Sequence, residues 1–234
     1  HTGSGKSTLI QIIAGLIDLQ VGNVEIDGES VKNKSARQKI GMVFQYPEYQ
    51  LFEETVEKDI AFGPRNFGLS ETEITKCVDE AMKLVELDAQ LKNSSPFELS
   101  GGQKRRVAIA GILALKPKYL ILDEPTAGLD PKAKKNLLSE IKKLHRAGVT
   151  IIFVSHSMED IANLASRVIV LAQGKILFEG TPRKLFGQAE ILEQAGLMPP
   201  PVTQLMLEIR RAGFPVSTEI ITLDEAEREI LRLR

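Results

Sequence analysis

Three short, almost wholly apolar runs constrain this chain more than anything else in it: IGMVF at 40–44, YLIL at 119–122 and VTIIFV at 149–154. Each is too short for a helix, is bounded by polar or turn residues and lacks the alternation of a half-exposed strand, so each reads as a strand buried on both faces. Helical patterns lie between and after them. The opening KSTLIQIIAGL places Leu9, Ile12, Ile13 and Leu16 at i, i+3, i+4 and i+7, which predicts that these four form one face of a first helix. Asp130-Pro131 reads as an N-cap followed by proline at the first helical position, with the helix running to about Ala147 and ending at Gly148. Apolar strands alternating with helices imply an α/β fold with a mainly parallel sheet flanked by helices.

The rest of the chain departs from that alternation in two places. Between Tyr46 and Leu99 strand signals vanish, and Ser70 with Glu73 has the spacing of a capping box, so residues 46–97 are expected to form a helical subdomain between the core segments 1–45 and 98–181. Asp27-Gly28 within NVEIDGESV and the segment RVIVLAQGKILFEG read as hairpins. From residue 182 onward, Pro199, Pro200 and Pro201 precede a further helical segment, and 182–234 is expected to be a small appended packing or dimerisation region.

Lysine plus arginine total 30 and aspartate plus glutamate 31, which removes the basic excess expected of a protein that binds nucleic-acid backbone. The single cysteine, Cys77, forbids an internal disulfide, fits a reducing compartment and lies in a helical pattern where burial is expected. No apolar run approaches the roughly 20 residues needed to span a bilayer.

The chemistry-bearing residues fall at strand tips and helix starts. In GSGKST, Gly3, Ser4 and Gly5 leave backbone amides free to surround phosphate oxygens where a helix begins, Lys6 would reach the β- and γ-phosphates, the Ser7 hydroxyl would hold Mg²⁺, and Thr8 would contact the α-phosphate region. Asp123 and Glu124 follow the strand at 119–122, at the edge where ligands bind in α/β sheets; Asp123 there suits a Mg²⁺ shell and Glu124 suits a base on water. Ser100-Gly101-Gly102 opens another helix with bare amides, a second place for an anion. Gln45 and His156 each follow a predicted strand, on the same edge as Asp123.

The order of these segments resembles the ATP-binding subunit of ATP-binding cassette transporters. GSGKST corresponds to a partial Walker A loop, Gln45 to the Q-loop, LSGGQ with Ser100, Gly101, Gly102 and Gln103 to the signature, YLILDE to Walker B, AGLD with Asp130 to the D-loop, and His156 to the switch histidine. FQYPEYQLF, DIAFGPRNFGLS and AGLMPPPVTQL are similar to the ATPases of energy-coupling factor transporters, including cobalt-type ones, which import vitamins or transition-metal ions. The first Walker A glycine and the strands that in the family carry an adenine-stacking aromatic are not in the sequence, and the simplest expectation is that the front of the motif has been trimmed from it.

The resemblance implies a P-loop fold, ATP and Mg²⁺ as ligands, and a head-to-tail pair with an identical or paralogous ATPase. ATP would lie between Lys6 and Ser7 of one subunit and Ser100 and Gly101 of the other. Glu124 would be the general base, His156 would contact the γ-phosphate, and Gln45 would sense nucleotide and touch Mg²⁺ or the water; Gln103 and Asp130 are carried over as nucleotide-binding and Ser7, Gln45 and Asp123 as metal-binding. The further partners implied are an integral membrane coupling subunit and a substrate-binding membrane subunit, with the ATPase peripheral on the cytoplasmic face of the membrane. The alternative from another class is a soluble cassette ATPase of DNA repair or translation. Repair types carry a long coiled-coil insertion and translation types two cassettes in one chain, and neither pattern is present. A subunit that has lost hydrolysis is disfavoured because Lys6, Glu124 and His156 are all retained.

Overall fold

The structure, a computed structural model, describes residues 3–233. Thr8–Val154 form one compact unit, and the described residues on either side of that segment form a second.

Helix α1 (Lys6–Ile13) leads into the first unit, followed by a hairpin of β1 (Glu25–Ile26) and β2 (Glu29–Ser30), helix α2 (Lys34–Gln38) and strand β3 (Ile40–Val43). The hairpin turns at Asp27-Gly28, both at positive φ (54° and 78°), the combination a two-residue type I′ turn demands. A 3₁₀ turn at Pro47–Gln50 then precedes α3 (Val56–Asn66), α4 (Glu71–Leu84) and two more 3₁₀ turns, Ala89–Asn93 and Pro96–Glu98. After these come α5 (Gly101–Leu113), β4 (Tyr119–Asp123), α6 (Pro131–Arg146) and β5 (Thr150–Val154). The expected caps are present: Ser70 and Glu73 form a capping box at α4, and Asp130 accepts from the amides of Lys132 and Ala133 at α6.

Strands β3, β4 and β5 pair in parallel in that order, with Met42 beside Ile121 beside Ile152 in register and Gly41 beside Leu120 beside Ile151 one residue earlier. Because side chains alternate across a strand, these two rows face opposite sides of the sheet. The Met42 row meets Ile10 of α1 and Ala14 just past its end. The Gly41 row meets α5, where Ile112 comes so close that a Cβ on Gly41 would lie 2.5 Å from its Cγ2. Both faces are therefore covered, as the apolar strands require.

The residues buried at α1 are not simply the four that share the predicted face. Ile10 is 3% exposed and Ala14 is buried, whereas Leu9 is 42% and Leu16 58% exposed. The helix ends at Ile13 in a Schellman cap: the Gly15 amide donates to Ile12, the Leu16 amide to Gln11, and Gly15 sits at φ 70°. Leu16 lies beyond that cap and cannot extend a helical stripe, so four apolar residues at the right spacing mark a helix without marking its inner face.

Within 46–97, α3 and α4 bury Val56, Ile60, Ile74, Cys77, Val78 and Met82, and α5 adds Val107, Ala110 and Leu113. Cys77 is a buried free thiol.

The second unit contains α7 (Met158–Leu164), the antiparallel hairpin of β6 (Val168–Ala172) and β7 (Lys175–Gly180), and then α8 (Pro182–Phe186), α9 (Ala189–Gln194), α10 (Pro201–Arg211) and α11 (Leu223–Leu231). Val202, Met206, Val216, Ile220 and Ala226 make a small core of their own between α10 and α11. Arg183 donates to the Glu225 carboxylate and to the Glu219 carbonyl, tying α8 to that core. Among the described residues no helix is long and apolar enough to cross a membrane.

Candidate functional site

Two of the three parallel strands deliver predicted site residues to their C-terminal edge. Asp123 is the last residue of β4, 7% exposed, and pairs with Val154 of β5; Glu124 follows at once and is half-buried. Gln45 lies two residues past the end of β3 and is exposed. Apolar side chains fix β4 between its neighbours, so the first polar residues after the run emerge at the sheet edge, and the fold brings Gln45, Asp123 and Glu124 to that one edge.

The backbone at this edge is not relaxed. Glu124 adopts φ 49° and Tyr46 φ 57°, left-handed conformations that residues with a Cβ enter at a cost of order 1 kcal/mol and keep only when neighbours enforce them. The Glu124 amide donates to the Val154 carbonyl at 3.0 Å, and the Glu124 carbonyl accepts from the Ala127 amide at 3.1 Å. The Tyr46 ring lies against Gly128, its Cε1 3.6 Å from where a Cβ would stand. The turn after β3 thus touches the loop that leads to Asp130, and Asp130 itself is occupied in capping α6.

One residue of this region was not singled out in the sequence. Arg105 of α5 is only 6% exposed, and its guanidinium donates to the Pro125 carbonyl. Burial pulls its pKa below the usual guanidinium value, while the negative charge of Glu48 pushes it back up. Position 105 falls on the apolar stripe of α5 with Ile109, Ile112 and Leu113, and a cation in register with an apolar stripe is the signal that could have found it.

At the start of α5, Ser100 and Gln103 form a reciprocal capping box: the Gln103 amide donates to Ser100 Oγ at 3.4 Å and the Ser100 amide to Gln103 Oε1 at 3.0 Å. Gly101 and Gly102 are exposed helical residues with φ outside the left-handed region, and a Cβ built on either would meet nothing within 4 Å. Neither conformation nor internal packing therefore calls for glycine here, although glycine in a helix costs up to about 1 kcal/mol relative to alanine. Two bare glycines at a capped helix N-terminus suit the close approach of an anion from outside the chain.

The remaining predicted residues, apart from Thr8, belong to the second unit. Gly3 and Gly5 adopt φ 82° and 93°, Ser4 is 4% exposed, and Lys6 Nζ donates to Ser4 Oγ at 3.0 Å. The Gly174 amide, in the β6–β7 turn, donates to the Ser4 carbonyl at 3.3 Å, which anchors the loop. A Cβ on Gly3 would stand in open space. Ser7 is exposed at the start of α1, Thr8 is the exposed first residue of the other unit, and His156 is exposed two residues beyond β5.

Comparison with known proteins decides the family. The model of the ABC transporter family matches residues 1–127. The chain belongs to the ABC transporter family. Over 99% of its length it is 56% identical to the energy-coupling factor transporter ATP-binding protein EcfA2 of Caldanaerobacter subterraneus subsp. tengcongensis, covering 83% of that protein. It is 54% identical to the EcfA2 protein of Clostridium perfringens, with 100% of the chain and 84% of the relative covered. Among solved structures it is similar to cbiO1 from Clostridium perfringens, described as part of the ABC transporter complex cbiONQ, at TM-score 0.73 and 35% identity over 91% of this chain and 83% of that one. It is also similar to the dimeric ATP-binding cassette MJ0796 bound to ADP and Pi, at TM-score 0.66 and 33% identity over 78% of this chain and 82% of that one. This ABC protein is thus an ATPase with the P-loop fold of ABC ATPase domains, and its relatives favour the transporter reading over a soluble ATPase of repair or translation.

Proposed function

We propose that the chain is the ATP-hydrolysing subunit of an energy-coupling factor or cobalt-type uptake transporter, working in a two-subunit cassette whose ATP sites are shared across the pair. The observation that carries the shared site is the pair Gly101 and Gly102, capped by Ser100 and Gln103, where a Cβ would meet nothing within 4 Å among the described residues. In this reading Gly3, Ser4, Gly5, Lys6, Ser7 and Thr8 of one subunit hold the phosphates, while Ser100, Gly101, Gly102 and Gln103 of the other close on them and Asp130 joins the interface. The dimer of the MJ0796 cassette with ADP and Pi supports a pair of this kind.

Glu124 takes the proton of the attacking water, and Gln45 and His156 orient the water and the γ-phosphate. Among the described residues no group of three or more His, Cys, Asp and Glu side chains could cage a metal. A hydroxyl, an amide oxygen and one carboxylate, from Ser7, Gln45 and Asp123, instead fit Mg²⁺ that shares substrate phosphates and keeps several waters. Bound there, Mg²⁺ would offset negative charge on the phosphates.

The proposed domain division, with a core of 1–45 and 98–181, a helical subdomain of 46–97 and a C-terminal region of 182–234, gives each part a task. The helical subdomain exposes Tyr49 (84%), Phe52 (56%) and Phe62 (43%), with the two phenylalanine rings edge to face at 4.8 Å. This aromatic patch follows Gln45 directly and suits a membrane coupling subunit, which would place the ATPase peripherally on the cytoplasmic face; a second membrane subunit would bind the solute. A soluble repair ATPase is disfavoured because α3, α4 and short turns fill 46–97, leaving no room for a coiled coil.

The test is Gly101→Asp. A carboxylate at that helix start would face the phosphates of ATP held by the partner subunit, a like-charge contact worth several kcal/mol at about 4 Å and moderate effective dielectric. The variant should bind ATP as a monomer, fail to dimerise with ATP in sedimentation, and release no phosphate. Normal hydrolysis by a monomeric variant would rule out the shared site.

A further inference from the structure

The inference concerns Arg105 and rests on the reading of Glu124 as the base. Glu124 is useful only if its carboxylate is held in one place, and its left-handed backbone does not hold itself. Two hydrogen bonds anchor the residue directly, from its amide to Val154 and to its carbonyl from Ala127. A third anchor acts one residue later, where the Arg105 guanidinium donates to the Pro125 carbonyl. Arg105 comes from α5, five residues after the Ser100 cap, so the helix that begins at the signature also grips the turn carrying Glu124.

We propose that Arg105 is a positioning residue for ATP hydrolysis, holding the Glu124–Pro125 turn from the signature helix, with Glu48 in the turn after Gln45 as its countercharge.

An arginine packed only for its stem would keep its head in water; this one buries its head between three segments already implicated in the chemistry. Glu48 Oε2 and Arg105 Nε are both buried without a hydrogen-bond partner among the described residues, so the two opposite charges act on each other through space. Displacement of the Gln45–Glu48 turn or of the first turn of α5 would therefore be felt at Pro125 and at Glu124. Such a residue moves turnover and leaves the phosphate grip of Lys6 alone.

The experiment uses the full-length protein and measures ATP affinity, thermal midpoint and phosphate release for Arg105→Met, Arg105→Lys and Glu48→Gln, with Glu124→Gln alongside. Methionine fills similar space without charge and should fold, since replacing a buried ion by an apolar side chain is often tolerated. Arg105→Met is expected to keep ATP affinity within about threefold while kcat falls at least about tenfold, and lysine should recover part of that loss because it keeps the charge and one donor. Glu48→Gln should lower kcat in the same direction with affinity unchanged. If methionine prevents folding, the lysine and Glu48 variants carry the test, and wild-type kcat in both overturns the proposal, as does kcat within threefold of wild type in a folded Arg105→Met. Loss of turnover in Glu124→Gln with none in the Arg105 variants would remove the positioning role alone; retained turnover in Glu124→Gln would remove the base and the positioning role together.

Discussion

The amide of Glu124 donates to the carbonyl of Val154 at 3.0 Å, extending the pairing of β4 with β5 one residue past the strand and into the proposed base. The backbone of Glu124 is thus set by the sheet, and its side chain is half-buried at the same edge. Glu124→Gln should accordingly fold, because the bonds to Val154 and Ala127 use its amide and carbonyl and not its carboxylate. The amide keeps the shape but takes no proton, so steady-state phosphate release should drop by at least about 100-fold, the range a positioned acid–base group supplies. ATP affinity should remain, and ATP-dependent dimers should accumulate in sedimentation. Hydrolysis within a few-fold of wild type would reassign the base.

Lys6 serves a different step and should fail differently. Its Nζ bonds Ser4 Oγ at 3.0 Å, within a loop pinned by Gly174. Lys6→Ala removes a positive charge from the proposed phosphate site, and a hydrogen bond to a charged partner contributes about 1.5–3 kcal/mol. Equilibrium binding of ATP should therefore weaken by roughly 10- to 100-fold. An unchanged dissociation constant would mean that the loop does not hold the phosphates.

How much of this was readable beforehand depends on the kind of constraint. The apolar runs at 40–44, 119–122 and 149–154 became the three parallel strands, because a strand buried on both faces leaves little choice of residue. The caps at Ser70 and Asp130 were equally legible, since each is a local bond between residues two or three apart. Asp123 and Gln45 could be placed at the sheet edge because they follow those strands. What the pattern missed was set by partners distant in sequence or by backbone conformation. The inner face of α1 is chosen by Met42 and Ile121, and Arg105 acquires a role only once Pro125 is beside it. The left-handed Tyr46 and Glu124 carry no composition signal, because neither residue type favours that conformation.

Asp27 gives a pH-dependent prediction. Its carboxylate accepts from Lys118 Nζ at 2.7 Å and from the Tyr119 hydroxyl at 2.6 Å, and the bond from Lys118, then that from Tyr119, lowers its pKa to about 2. An unfolded aspartate titrates near about 3.9. The folded value is the lower one, so the stabilisation from Asp27 is fully present above about pH 4 and is lost as pH falls through about 2. Urea unfolding of Asp27→Asn should show a lower midpoint than wild type at neutral pH, and the gap should close on acidification toward pH 2. A gap that stays constant from neutral to that pH would mean the carboxylate charge contributes nothing at this hairpin.

Gly41 tests how α5 is seated on the sheet. A Cβ at this position would lie 2.5 Å from Ile112 Cγ2, 3.0 Å from Pro117 Cγ and 3.3 Å from Leu120 Cδ1, the first of these closer than packed carbons tolerate. Gly41 is a strand residue outside the left-handed region, so alanine there would otherwise gain from a less flexible unfolded chain, by about 0.4–1 kcal/mol. Overpacking opposes this with about 1–3 kcal/mol, and because the β-branched Ile112 and the ring of Pro117 border the site, relief must come from α5 moving away. Gly41→Ala should therefore be destabilised in urea unfolding by roughly 1.3 kcal/mol, the difference between the midpoints of those two ranges. Ile112→Ala removes the methyl that collides and leaves a gap that the new Cβ partly fills. The double variant should be more stable than the sum of the two singles by about 1 kcal/mol, a coupling expected for residues in direct contact. Strict additivity would show that α5 and β3 are not packed through this pair, and that the helix opening at Gly101 is seated on the sheet by other contacts.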